Sequence, residues 1–161
     1  MKTLYIVRHA KSSWDEDVID HQRPLNKKGK HDVLHVSDYV ASHFKKPDIM
    51  ISSDANRALT TALAFKNAFQ MTENNFFTKN NMYDFSGGNV LEEINICSDN
   101  VRILMLFGHN HALTHLVNQL GNQFINNLPT CGFVQIDFET DNWATLTNGK
   151  TIATIFPKDL K

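Results

Sequence analysis

Short apolar runs alternate with longer amphipathic stretches along most of this chain. Leu4 to Val7 is a four-residue apolar run ended by polar residues, the pattern of a buried strand. After a polar stretch from Lys11 to Arg23, Pro24-Leu25-Asn26 opens a predicted helix that runs to about Phe44. Its buried face is marked by Val33, Val36, Val40 and Phe44 at helical spacing, and Asn26 suits its N-cap. Asp48 to Ser52 predicts a second strand, and Ala55 to Phe69 a second helix. Phe76 to Thr78 predicts a short strand, Gly87-Gly88 a turn, and Val90 to Ile96 a short helix. The run Arg102 to Phe107 is the plainest buried strand, and the helix after it spans Ala112 to Leu120, stopping at Gly121 as a C-terminal cap.

The last third changes period. Phe133 to Phe138 alternates as a strand does, and Trp143 to Leu146 and Thr151 to Phe156 read as further strands with Asn148-Gly149 as a hairpin turn. Strands alternating with helices, then strands alone, predict an α/β fold: a mostly parallel central sheet with helices on both faces and an antiparallel edge. Phe65, Phe69, Phe76 and Phe77 are expected in the core.

The 161 residues suit one domain, residues 1–161, and 42% hydrophobic with 20% charged residues fits a packed protein. A formal net charge of -1 gives no global attraction to nucleic acid or anionic membranes, so an anionic ligand needs a local cluster. Cys97 and Cys131 lack metal-like spacing and are expected as free thiols. The apolar run near the start is too short for a signal core, and no later run spans a bilayer. Those readings together predict a cytoplasmic protein without a membrane partner.

Ligands of an open α/β sheet gather at the carboxyl ends of its strands. Three predicted strand ends carry chemistry: Arg8-His9; Ser52-Ser53, followed by Arg57; and Gly108-His109-Asn110. Two guanidinium forks suit phosphate oxygens, one imidazole can attack, and the other can donate a hydrogen bond as charge moves. Gly108 is expected to allow close backbone approach beside the pocket, and Asn110 to cap the following helix. Helix N-termini near Ala55 and Ala112 would add N–H donors. His31 with His35, and His111 with His115, are spaced as metal pairs can be, but neither has a third ligand. No metal is expected.

The segments VRHAKSSW, RPLN, SSDANRALTTA and FGHNHAL, in that order, resemble the histidine phosphatase superfamily, and within it the small SixA-like phosphohistidine phosphatases. The resemblance runs from Thr3 to about Gly132. It implies a three-layer αβα, phosphoglycerate-mutase-like fold, His9 as nucleophile, and Arg8, Arg57 and His109 around the phosphoryl group. Ser52 and Arg23 are further candidate substrate contacts, Arg23 lining the mouth or pairing with an acid nearby. Trp14 is either a lid residue or a loop anchor. Ala10 stands where many members have Gly, and Asp54 where relatives often have Pro.

Larger relatives carry an insert that supplies a general acid. The span from Phe69 to Arg102 is short here, and Asp15, Glu16, Asp20 and Asp84 remain open as candidates. The expected reaction is hydrolysis through a covalent phosphohistidine, without a cofactor. The expected partner is a phosphohistidine protein, with a small phosphomonoester (as phosphatase or mutase substrate) or a non-catalytic phosphoryl-binding role as the alternatives.

Overall fold

Alternate residues of the apolar runs face opposite ways, and each face meets its own core. In the computed structural model, which describes residues 1–161, Leu4 and Ile6 join one buried cluster and Tyr5 and Val7 the other. Leu104 and Leu106 separate from Met105 and Phe107 in the same manner. A strand covered on both faces must be apolar at every position, which is why these runs do not alternate with polar residues.

The strands are β1 (Lys2–Arg8), β2 (Ile49–Ser53), β3 (Phe76–Lys79), β4 (Ile103–Gly108), β5 (Phe133–Phe138) and β6 (Lys150–Ile155). They form one six-stranded sheet in the order β3-β2-β4-β1-β5-β6. β1 to β4 run parallel; β5 is antiparallel to β1 and β6 antiparallel to β5. The helices are α1 (Lys27–His43), α2 (Asn56–Ala68), α3 (Gly88–Asn95) and α4 (Ala112–Leu120). Val33, Val36 and Val40 of α1 and Ala62 and Phe65 of α2 bury against one face. Val90 and Ile94 of α3 and Leu113, Leu116 and Val117 of α4 bury against the other. This is the three-layer αβα arrangement.

Asn26 caps α1 as expected, its side chain accepting from the Gly29 N–H at 2.8 Å. Three expectations are corrected. Trp143 to Leu146 is not a strand: Trp143–Thr145 forms a single 3-10 turn. Trp143 is fully buried and its indole N–H donates to the Val101 carbonyl at 2.8 Å, so the side chain that suggested a strand is used to fill the core. β6 therefore pairs with β5, and Asn148-Gly149 ends a long connection instead of forming a two-residue hairpin. Phe65 and Phe69 are buried, but Phe77 is 41% exposed and Phe76 half-buried, because β3 is an edge strand covered on one side only. Gly121 ends α4 in extended conformation; glycine is required there because a Cβ would lie 2.3 Å from Thr151 Oγ1. No helix is long and apolar enough to cross a membrane.

Candidate active site

β1 and β4 are parallel neighbours, with Arg8 opposite Gly108. That register sets the next residues, His9 and His109, side by side: the His9 N–H donates to the Gly108 carbonyl at 3.1 Å, and the two ring centroids are 5.3 Å apart. β2 lies on the far side of β4, and the first turn of α2 brings Arg57 to the same rim. A cavity of about 620 Å³ opens there, lined among others by Arg8, His9, Arg23, Arg57 and His109. Four side chains from distant parts of the chain, and Arg23 from the loop before α1, thus converge as the strand ends predicted.

His9 is buried, and its Nδ1 lies 2.7 Å from the Ala10 carbonyl oxygen. A carbonyl only accepts, so the ring proton is on Nδ1 and Nε2 keeps its lone pair. Burial is the main cause that lowers the His9 pKa to about 3; Arg57, Arg8 and Arg23 add to it, against the opposing Ala10 hydrogen bond. His9 is a neutral imidazole at physiological pH.

His109 is held differently. Its Nε2 lies 2.9 Å from Ser53 Oγ. That hydroxyl accepts the Ala55 N–H at 3.1 Å and has no other acceptor in reach for its own proton, so it donates to His109 Nε2. The ring proton then sits on Nδ1, a buried atom with no partner in the protein. Burial again leads in lowering the His109 pKa to about 3, with His9 and Arg57 next. Arg8 donates from Nη1 to the Leu128 carbonyl at 2.9 Å, and its buried Nε is likewise without a partner. Arg8 and His109 both line the cavity, and each keeps one buried ring or guanidinium nitrogen without a partner in the protein.

Arg57 and Arg23 are almost fully buried and share one carboxylate. Arg57 Nη2 donates to Asp20 Oδ2 at 3.0 Å and Nη1 to the Asp20 carbonyl at 2.8 Å. Arg23 Nη1 donates to Asp20 Oδ1 at 3.1 Å, while its Nε and Nη2 hold Ser13 O and Ser12 Oγ. The two readings of Arg23 both hold: it lines the cavity and pairs with an acid. Trp14 is 79% exposed, and the Arg23 guanidinium lies 3.2 Å from its ring centroid, so Trp14 is a stacked mouth residue and not a buried anchor.

Ser52 is brought elsewhere: it is fully buried, donates to the Ser53 carbonyl, and does not line the cavity. In a parallel strand neighbouring side chains alternate, and it is Ser53 that faces His109. Gly108 does not admit a close approach, since a Cβ there would meet only Leu113 at ordinary contact, 3.6 Å. Asn110 is not the N-cap residue of α4, a place His111 holds, but from one residue before it its side chain accepts the Thr114 N–H at 3.1 Å. The Ala55 N–H is taken by Ser53 and is not free for an anion.

Of the acid candidates, Asp84 is spent on the start of α3, accepting from the N–H groups of Ser86, Gly87, Asn89 and Val90. Burial would raise its pKa, but those bonds hold it below the usual carboxylate range. Burial also works to raise Asp20, yet hydrogen bonds from Tyr83, Arg23 and Arg57 pull it far below that range. Asp15 lines the cavity; Glu16 does not. Asp54 pairs with His21 at 2.8 Å and so ties the Lys11–Arg23 loop to the end of β2. No group of three or more His, Cys, Asp or Glu residues is placed to hold a metal. Sequence reading missed the supporting residues: Ser53 as a partner of His109, and Tyr83, whose hydroxyl donates to Asp20 at 2.6 Å. The sequence offers Asp20 as an acid candidate and Arg23 as the partner of a nearby acid without joining the two, and nothing in it signals Tyr83.

Known proteins share this fold and part of this sequence. The chain is 28% identical over 151 residues to an uncharacterized chloroplastic protein of Arabidopsis thaliana, covering 88% of this chain and 69% of that one. An uncharacterized protein of Mycobacterium tuberculosis is 30% identical over 103 residues, 64% of this chain and 62% of its own length. Among solved structures, a protein assigned as phosphohistidine phosphatase SixA from Agrobacterium tumefaciens superposes with a TM-score of 0.82 at 25% identity, covering 97% and 98% of the two chains. A mycobacterial glucosyl-3-phosphoglycerate phosphatase shares the fold, with a TM-score of 0.69 at 10% identity over 95% and 98%. The phosphoglycerate-mutase-like architecture is thus the one observed. Residues 4–85 match the model of branch 1 of the histidine phosphatase superfamily. Because that match takes in half of the chain, including the segments that carry His9 and Arg57, this protein belongs to the histidine phosphatase superfamily and is a phosphatase.

Proposed function

We propose that the protein removes the phosphoryl group from phosphohistidine on another protein, through a covalent phosphohistidine on His9. His9 Nε2 carries a free lone pair in a buried, neutral ring, which suits in-line attack on phosphorus. Arg8, Arg57 and Arg23 hold the phosphoryl oxygens, and the His109 Nδ1–H donates to one of them. The N–P bond to the substrate imidazole breaks as the bond to His9 Nε2 forms. Water then attacks phosphorus, inorganic phosphate leaves, and His9 recovers its lone pair. Ser52 has no part in this scheme.

The observation that carries the choice of substrate is the state of the carboxylates. Asp20 is held ionised between two guanidiniums and Asp84 is committed to a helix cap, so neither offers a proton to a leaving alkoxide, and Asp15, the other carboxylate on the cavity wall, is exposed to solvent. A phosphoimidazole protonated on its other ring nitrogen departs as neutral imidazole and needs no such acid. A protein histidine phosphatase, SixA, solved in complex with tungstate, a tetrahedral oxyanion, shares the fold at a TM-score of 0.81 and 17% identity, which is in keeping with a phosphoryl substrate. The protein substrate and a cytoplasmic setting go together in this reading.

The test is intact mass after a rapid, acid-free quench with a phosphohistidine-containing domain, on wild type and His9→Ala. A transient one-phosphate adduct in the wild type, absent from His9→Ala, is expected. Equal turnover of an alkyl phosphate monoester would overturn the substrate assignment and favour a small phosphomonoester. Absence of both adduct and turnover on every substrate would favour a phosphoryl-binding role.

A further inference from the structure

We propose that Asp20 is a built-in counter-anion of the phosphoryl site, whose charge sets how tightly phosphate is held and so how readily the product leaves. The inference rests on the reading of Arg8, Arg23 and Arg57 as phosphoryl ligands. All three guanidiniums line one cavity, and Arg23 and Arg57 are nearly out of reach of solvent. Always-charged groups so placed repel one another and bind any phosphate strongly. Asp20 is the group that offsets them. One carboxylate oxygen takes Arg23 at 3.1 Å and the other takes Arg57 at 3.0 Å.

The placement is not that of a purely internal brace. Asp20 sits on the short 3-10 turn Asp20–Gln22, its side chain is 44% exposed, and it lines the cavity itself. It therefore shares the space that the phosphoryl group enters. Lys11 and Asp15 also line the cavity and, though not paired with each other, cancel in its formal charge. Three guanidiniums against one carboxylate then leave two positive charges, the complement of a phosphoryl dianion. With Asp20 removed, the excess charge would stabilise bound phosphate as a ground state, and tight binding of the product opposes turnover. The Tyr83 hydroxyl, at 2.6 Å, orients the carboxylate toward the two arginines. Asp20 is on this account a positioning and charge-setting residue that acts through Arg23 and Arg57.

The experiment is calorimetric binding of inorganic phosphate to wild type, Asp20→Asn and Asp20→Glu, with steady-state kinetics on an aryl phosphate. Asp20→Asn keeps the shape and removes the charge. It should bind phosphate about tenfold more tightly at low salt, with the gain shrinking as salt rises. KM and kcat should fall together and product inhibition should strengthen, a split that simple loss of structure does not give. Asp20→Glu, which keeps the charge, should bind phosphate much as the wild type does. Equal or weaker phosphate binding by an Asp20→Asn protein that still unfolds cooperatively would overturn the proposal. If Asp20→Asn does not fold, Asp20→Ser serves for the same reading. Phosphate binding needs no turnover, so a wild type that binds phosphate without forming an adduct would count against His9 as nucleophile and leave the Asp20 comparison standing.

Discussion

His9 and His109 face one another with their protons placed by different neighbours. The Ala10 carbonyl holds the His9 proton on Nδ1, which frees Nε2; the Ser53 hydroxyl supplies a proton to His109 Nε2, which makes Nδ1 a donor. In the proposed mechanism one ring attacks and the other stabilises charge, with no change of protonation between steps. Ser53→Ala removes the hydroxyl that fixes the second tautomer. We expect kcat to fall about tenfold, with phosphate binding changed much less, since the guanidiniums stay in place. Unchanged kcat in a folded Ser53→Ala protein would show that Ser53 does not set the His109 tautomer. Arg57→Lys should be far more damaging than its charge suggests. Lysine cannot donate to both Asp20 oxygens and still present a planar fork, so kcat/KM on an aryl phosphate should drop at least about a hundredfold. A tenfold loss or less would assign Arg57 a purely Coulombic role.

The site loop is positioned by an element, not by its own structure. α1 begins at Lys27 directly after the loop, and its Gly29 packs on the Lys11 backbone so closely that a Cβ would lie 2.1 Å from the Lys11 carbonyl oxygen. The Asn26 N–H donates to that same carbonyl at 2.9 Å. Gly29→Ala must therefore push α1 and the loop apart, with a cost of about 2 kcal/mol or more, as overpacking against backbone gives. Thermal unfolding should show the loss, and KM should rise because Ser12, Ser13 and Arg23 move with Lys11. A stable Gly29→Ala protein with unchanged KM would mean that the loop holds itself. The helix contact was not legible in the sequence, since it joins residues 18 positions apart through a glycine in a helix interior. What was legible followed from periodicity: the buried faces of α1 and α2, and the carboxyl ends of β1, β2 and β4, which carry His9, Arg57 and His109. Trp143 misled because an aromatic residue among polar neighbours reads the same whether it lies in a strand or plugs a core. Ser52 misled because, without the register of β2 on β4, nothing distinguishes it from Ser53.

At the scale of the molecule, the two imidazoles link the site to the stability of the whole fold. Both are buried in the native state and their pKa values are lowered to about 3, whereas the unfolded chain binds protons near 6.5. Below pH 6.5 the unfolded state therefore takes up protons that the folded state refuses, and by linkage stability must fall as pH falls. The sign is that of a depressed group: the contribution is intact above pH 6.5 and is lost progressively down to about pH 3. At pH 5 each imidazole would remove up to about 2 kcal/mol if the two titrate independently. Asp20 and Asp84, held below the usual carboxylate range, extend the same trend to lower pH. The midpoint of denaturant unfolding should thus decline between pH 7 and pH 5, and His109→Asn should flatten the decline while leaving the protein less active. The limb of kcat/KM that reports deprotonation of free His9 should stay level over the same range, because that ring is already neutral. A midpoint independent of pH from 7 to 5 in the wild type would mean that both rings take up protons in the folded state as they do in the unfolded one, and the tautomer argument for both would fall; a His109→Asn protein with the wild-type slope would remove it for His109 alone.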